Sequence, residues 1–210
     1  QDAAAAAKEI IQHIRSLLSA PGPDPTLGFD MDLRPEGKAG PLSRTVEGYA
    51  SYFSRWAMTW EQQALLRARC CAGDTELGAG FIALVNTMRW PDEGLTDGQV
   101  KEVRRLKARM ESERLPRGAD PKRHFKLGRG GLSDVEWTVQ LVQMRYAHQY
   151  PGLRTTRTID ALHVAVDVGL IDETDAEALE DAWVTATLMR DAVVLWRGRS
   201  SDSVPADIRD

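Results

Sequence analysis

The chain has 210 residues, 42% hydrophobic and 28% charged, with a formal net charge of −4; this balance excludes a disordered tract and allows one large core, or one and a half small ones. No apolar run approaches the ~18 residues that span a bilayer, and the alanine-rich start lacks the basic flank and leucine-rich centre of a signal peptide. Neither a membrane nor nucleic acid is an expected partner at this composition and charge, and the expected compartment is the cytoplasm.

Residues 3 to 19 carry Ile10, Ile11, Ile14, Leu17 and Leu18 at spacings of three and four, which predicts an amphipathic helix opened by Asp2 and stopped by APGPDP. From Thr26 to Arg34, Leu27, Phe29, Met31 and Leu33 alternate with Gly28, Asp30, Asp32 and Arg34, the period of a half-buried strand with both carboxylates on one face. From Thr45, the positions Tyr49, Phe53, Trp56, Trp60, Ala64 and Leu65 keep helical spacing, predicting one long helix or two in series ending near Gly73, with the aromatic stripe in the core. Further helices are predicted at about 75–88, 97–114, 132–149, 156–168 and 173–197, the last with Leu179, Trp183, Ala186, Met189, Val193 and Trp196 on one stripe. A lone strand cannot satisfy its own backbone hydrogen bonds, so the 26–34 segment is expected to belong to a sheet whose other strands lie elsewhere. The Pro/Gly-rich stretches at 20–28, 35–41 and 116–131 are the joints.

Few residues offer chemistry. Cys70 and Cys71 are adjacent and have no CxxC partner, so reduced, buried thiols are expected. His13, His124, His148 and His163 show no metal-ligand spacing and read as structural, and GRSSDS at 198–203 reads as a loop or tail. The segment HFKLGRGGLSDVEW at 124–137 is stronger. Gly128, Gly130 and Gly131 permit close backbone approach or positive φ, Ser133 and Glu136 stand as a capping box, and the helix they open would present its amides to an anion, unless the loop is only a hinge. Asp134 and Glu136 should point to different faces of that helix. Asp30 and Asp32 on one strand face could hold Mg²⁺ through oxygen ligands, or could be a strand end paired with Arg34 or Lys38.

The runs DMDLRPEGKAGPL, YASYFSRWAMTWEQQALLRAR with AGD, KLGRGGLSDVEWTVQ and RYAH, in this order and at these intervals, resemble the C-terminal adenylyltransferase half of the glutamine synthetase adenylyltransferase family. ADPKRHFKLGRGGLSDVEWTVQ resembles its actinobacterial branch. The resemblance covers nearly the whole chain. It implies a bifunctional enzyme whose one half transfers AMP from ATP to a tyrosine of glutamine synthetase while a homologous half removes it, with a PII signalling protein setting the balance. It implies a mainly α chain: a truncated remnant of a nucleotidyltransferase α/β domain, helix plus strand, at 1–44, then a helical bundle at 45–210. Asp30 matches the third carboxylate of the family's Mg²⁺ site, with Asp32 beside it as a second catalytic carboxylate. Arg34 and Lys38 are expected at the triphosphate of ATP, and Gly128, Gly130 and Gly131 at the nucleotide or as a brace. The family's Gly-Ser and Asp-x-Asp motifs do not precede residue 28, so the chain alone is expected to be inactive. Two other readings stand beside this one: a docking bundle for PII or glutamine synthetase without chemistry of its own, and the sister family that uridylylates PII, which shares a GRGGLxDxE loop.

Overall fold

The computed structural model describes residues 2–23, 28–199 and 201–205. Among them the α-helices are α1 (Asp2–Leu18), α2 (Val46–Trp56), α3 (Thr59–Leu65), α4 (Thr75–Arg89), α5 (Asp97–Arg114), α6 (Leu132–Tyr146), α7 (Thr158–Asp167) and α8 (Glu173–Arg197). Every predicted helix forms, and α5 and α8 have the predicted limits. The starts are set by capping chemistry: Thr45 accepts from the Gly48 N–H at 3.1 Å, Asp74 from the Leu77 N–H at 2.8 Å, and Thr96 and Gln99 cap each other reciprocally.

The stretch from Thr45 divides in two because Ala57 and Met58 are both extended. This break moves the predicted aromatic stripe out of register. Phe53 is buried, but Trp56 is 69% and Trp60 40% exposed, contrary to their predicted place in the core. The α8 stripe is likewise only partly buried: Ala186 and Val193 face inward, whereas Met189 and Trp196 stay exposed.

The predicted strand does not form. Thr26 and Leu27 lie outside the described residues, and Gly28 to Arg34 is irregular backbone. Alternation becomes a strand only where a neighbour takes up the backbone N–H and C=O groups. Among the described residues the one bridge is the isolated antiparallel pair His124–Ser203. The segment's polar groups are met by side chains instead: Asp30 Oδ1 accepts from the Asp32 N–H at 2.8 Å, and the Arg34 guanidinium donates to the carbonyls of Met31 and Gly40 at 2.5 and 3.3 Å.

The core is organised around α6, which packs against α5, α7 and α8, while α3 lies against α4 and α5. Val135 and Val139 of α6 are fully buried. One apolar cluster joins Leu66, Trp90, Val103, Met144, Leu153 and Ala165; a second joins Val139 to Ala161, Leu162 and Ala176; a third joins Phe125 and Leu132 to Ala186 and Val193. Polar side chains fasten the joints between them. Gln143 on α6, itself buried, donates from Nε2 to the carbonyls of Leu153 and Thr155 at 2.7 and 2.8 Å and so pins the α6–α7 connection. Gln63 and Gln140 pair in the interior at 2.8 Å and tie α3 to α6. In α1 the apolar stripe is largely exposed at Ile10, Ile14 and Leu17. Among the described residues no helix is long and apolar enough to cross a membrane.

Candidate functional site

Asp30, Asp32, Arg34 and Lys38 lie on one short turn. Its shape comes from the PEG sequence: Glu36 and Gly37 take left-handed conformations at φ 63° and 54°, and Gly40 is packed so closely that an added Cβ would sit 2.2 Å from the Pro35 carbonyl. Arg44 pairs with Glu36 and holds the strained residue in place. Asp32 faces Lys38 at 3.3 Å and Arg34 at 3.8 Å. The turn therefore gathers the four predicted residues, but with unequal freedom. Asp30 and Lys38 are exposed. The Arg34 side chain is only 12% exposed and spends its donors on Met31 and Gly40, holding the turn closed.

These residues fit a divalent cation only as a part of its shell. One Asp30 oxygen is engaged by the Asp32 N–H and Asp32 is engaged by Lys38. Among the described residues no group of three or more His, Cys, Asp or Glu could hold a metal ion.

The glycine loop is built differently from the predicted capping box. The N-cap of α6 is Gly131, and Ser133 lies inside the first turn, buried, without a capping role. Asp134 instead reaches back to the Gly130 N–H at 2.7 Å. The amides at this helix start are taken by loop carbonyls: Leu132 donates to Phe125, Ser133 to Lys126, and Asp134 to Gly131, at 2.8 to 3.0 Å. The positive end of α6 is thus occupied by the protein's own backbone. Gly128 and Gly131 are required by proximity, since an added Cβ would sit 2.3 Å from the Pro121 carbonyl and 2.6 Å from that of Phe125 respectively. Gly130 is required by its φ of +72° alone.

The two carboxylates of this helix separate as predicted. Asp134 pairs with Lys107 of α5, which also pairs with Glu111. Burial pushes the Asp134 carboxyl up, but Lys107 and the Gly130 N–H outweigh it and hold it below the usual carboxylate range. Burial likewise lowers Lys107, and its two carboxylates more than reverse that, leaving it above its ordinary value. Glu136 points instead to Arg67, at 2.8 Å.

Arg67 stands between two cavities. One, of about 690 Å³, runs between Leu33 of the turn and helices α3, α5 and α6, and is lined by Trp60, Met110 and Trp137 among others. The second, of about 500 Å³, is lined by Arg67, Arg69, Arg157, Thr156, Thr158 and Trp183. The loop carrying Arg67 and Arg69 is fastened by buried Arg89, which donates from Nη1 to the carbonyls of Ala68, Leu65 and Leu66 at 2.8, 3.1 and 3.4 Å. Burial lowers the Arg89 pKa from its ordinary value. Sequence reasoning did not single out these arginines. ALLRAR and RTTRT each look like an ordinary solvated face, and the contact between Arg67 and Thr158 joins residues 91 apart. The adjacent Cys70 and Cys71 are free, as expected, but exposed rather than buried, because the loop leaving α3 runs over the surface. Of the histidines, buried His124 accepts the Leu127 N–H at 3.0 Å and His163 meets Glu180 at 2.8 Å.

Residues 1–83 match the family model described as glutamate-ammonia ligase adenylyltransferase, and residues 102–210 match the one described as GlnD PII-uridylyltransferase. Both descriptions are of nucleotidyltransferases. Along its whole length the chain is 56% identical to a Streptomyces coelicolor protein and 57% identical to a Streptomyces avermitilis protein; over 93% of its length it is 52% identical to one from Mycobacterium tuberculosis strain H37Rv. All three relatives are named bifunctional glutamine synthetase adenylyltransferase/adenylyl-removing enzyme. The chain belongs to the glutamine synthetase adenylyltransferase family, and spans 21% of the length of the Streptomyces relatives.

Proposed function

We propose that the chain is part of an enzyme that transfers AMP from ATP to a tyrosine of glutamine synthetase, under the control of a PII signalling protein. The observation that carries this reading is the similarity, at 56–57% identity along all 210 residues, to relatives that bear that name. Asp30 is the proposed Mg²⁺ ligand of this chain, with one carboxylate oxygen left open, and Asp32 stands beside it as a second carboxylate oriented by Lys38. Bound Mg²⁺ would supply charge neutralisation at the triphosphate. Lys38, exposed on the turn, is the proposed contact to the same phosphates, whereas Arg34 acts through the turn that it closes. The glycine loop serves as the brace that starts α6 rather than as a nucleotide cradle, since its amides are already engaged. The attacking tyrosine must lose a proton whose free pKa is ~10, which requires a base or cation beside it.

The test uses radioactive ATP, Mg²⁺ and glutamine synthetase. The 210-residue chain alone is expected to transfer nothing, because it contributes one metal carboxylate. A longer protein containing it is expected to modify the synthetase and to lose that activity with Asp30→Asn while keeping its far-UV circular dichroism. A second reading, uridylyl transfer to PII, is favoured by the match over 102–210, and radioactive UTP with PII in the same assay separates the two. Transfer of AMP by the chain alone would overturn the assignment of Asp30 to a shared site.

A further inference from the structure

We propose that the 500 Å³ cavity at the start of α7 is a binding site for a polyphosphate anion. Three arginines wall it: Arg67 and Arg69 from the loop leaving α3, and Arg157 at the N-cap of α7. Guanidinium forks suit phosphate oxygens, which they meet with two parallel donors each. Against these three charges the lining holds one carboxylate, Asp160, paired with Arg157 at 3.3 Å. Glu136, outside the lining, holds Arg67 at 2.8 Å. Arg67 is thereby fixed, with Thr158 at 3.1 Å and Trp183 under its guanidinium at 5.8 Å. Among the described residues Arg69 has no carboxylate or carbonyl partner, and it is exposed at the cavity, so its full charge is available to a ligand. The hydroxyls of Thr156 and Thr158 add neutral donors on the same wall.

The size of the space and the number of guanidinium donors together select the ligand class. A volume of about 500 Å³ falls within the ~300–1,000 Å³ typical of small-molecule sites and exceeds what one phosphate fills. A monocarboxylate has too few oxygens to engage more than one guanidinium fork, whereas the several terminal oxygens of pyrophosphate or a nucleoside triphosphate tail can meet Arg69 together with the donors that Arg67 and Arg157 do not spend on Glu136 and Asp160. The backbone leading to Arg67 and Arg69 is fastened by Arg89 at the Leu65 and Ala68 carbonyls, so their stems start from a fixed place on the cavity wall. The cavity is formed by bundle residues alone and does not rest on the proposed role of Asp30.

Isothermal titration calorimetry on the 210-residue chain tests this with pyrophosphate, ATP and AMP, each without metal. Pyrophosphate is expected to bind, AMP at least tenfold more weakly, and Arg69→Gln and Arg157→Gln are each expected to weaken pyrophosphate by tenfold or more. Arg69→Gln is expected to leave the melting temperature of the free chain unchanged, which separates loss of binding from loss of fold. ATP binding as tightly as pyrophosphate would support the class and identify a nucleotide tail as the source; pyrophosphate binding alone would support it and identify a free anion. Absence of pyrophosphate binding, or undiminished binding by both variants, would overturn the proposal.

Discussion

Arg89→Met removes the clamp on the loop between α3 and α4 while keeping a long apolar side chain in the same space. In the native chain Nη1 makes two well-formed bonds to partly buried carbonyls, at 2.8 Å to Ala68 and 3.1 Å to Leu65, and a weaker one at 3.4 Å to the buried Leu66 carbonyl; Nε reaches Asn86 at 2.9 Å. Hydrogen bonds to a charged donor contribute ~1.5–3 kcal/mol each, and carbonyls left unmet inside the protein lose a similar amount. Against this, methionine avoids burying a guanidinium, a cost visible in the lowered Arg89 pKa. The balance is a destabilisation of about 3 kcal/mol. For a chain of this length each kcal/mol moves the melting temperature by ~2–4 °C, so a fall of roughly 6–12 °C is expected in far-UV circular dichroism at 222 nm. Urea titration should show the same change as a lower midpoint at constant slope. Arg89→Lys keeps the charge but reaches fewer carbonyls, and should fall between the two. A methionine variant melting within about 2 °C of the parent would refute the reasoning, since it would mean that these carbonyls find water or each other at no cost.

Gly131→Ala, which drives a Cβ into the Phe125 and Gly128 carbonyls at 2.6 and 2.8 Å, should cost about 1–3 kcal/mol in thermal unfolding, and more than Gly130→Ala, where only the φ of +72° opposes alanine. The reverse order would show that the loop relaxes freely around residue 131. Gln143→Leu should destabilise by about 2–3 kcal/mol, because the buried Leu153 carbonyl and the partly buried Thr155 carbonyl lose their shared donor; an unchanged denaturation midpoint would remove Gln143 from the set of anchors. Asp134 is held below its ordinary pKa in the folded chain, so its contribution is present above the unfolded value of ~3.9 and is lost as pH falls through the folded one. Asp134→Asn should therefore flatten the acid limb of a stability-versus-pH curve while lowering stability at neutral pH. Lys107, held above its ordinary value, contributes below the unfolded lysine pKa of ~10.4 and loses that as pH rises through the folded one, so the wild-type plateau should span the range between. An unaltered acid limb in the Asn variant would show that the Lys107 pair does not set it.

The helices were legible because each carries its own evidence locally: a 3.6-residue apolar stripe, and a side chain such as Thr45, Asp74 or Thr96 that caps its start. What local pattern could not supply was the partner. Phe29, Met31 and Leu33 alternate as a strand would, yet no neighbouring strand is present among the described residues, and Asp30 and Arg34 take up the backbone groups instead. Trp56 and Trp60 have helical spacing across a break at Ala57 and Met58 that no proline or glycine announces. The glycine loop was located correctly, but its cap was not, because Asp134 lies near enough to Lys107 and Gly130 to outcompete Ser133. The arginine cavity stayed hidden for a different reason: it joins side chains about 90 residues apart, and their charges have meaning only once the loop leaving α3 meets the start of α7.

The surface position of the two cysteines has a practical side. They are the chain's only thiols, both exposed and unpaired, and they follow Arg69 on the loop that Arg89 fastens. Cys70 packs against Gly78, where an added Cβ would meet its sulfur at 2.6 Å. A fluorophore attached by maleimide chemistry to either of these adjacent thiols would therefore report from the stretch that directly follows Arg69, without engineering a residue. The same exposure sets a handling rule: under oxidising conditions neighbouring molecules can cross-link through this loop, so reductant belongs in every preparation.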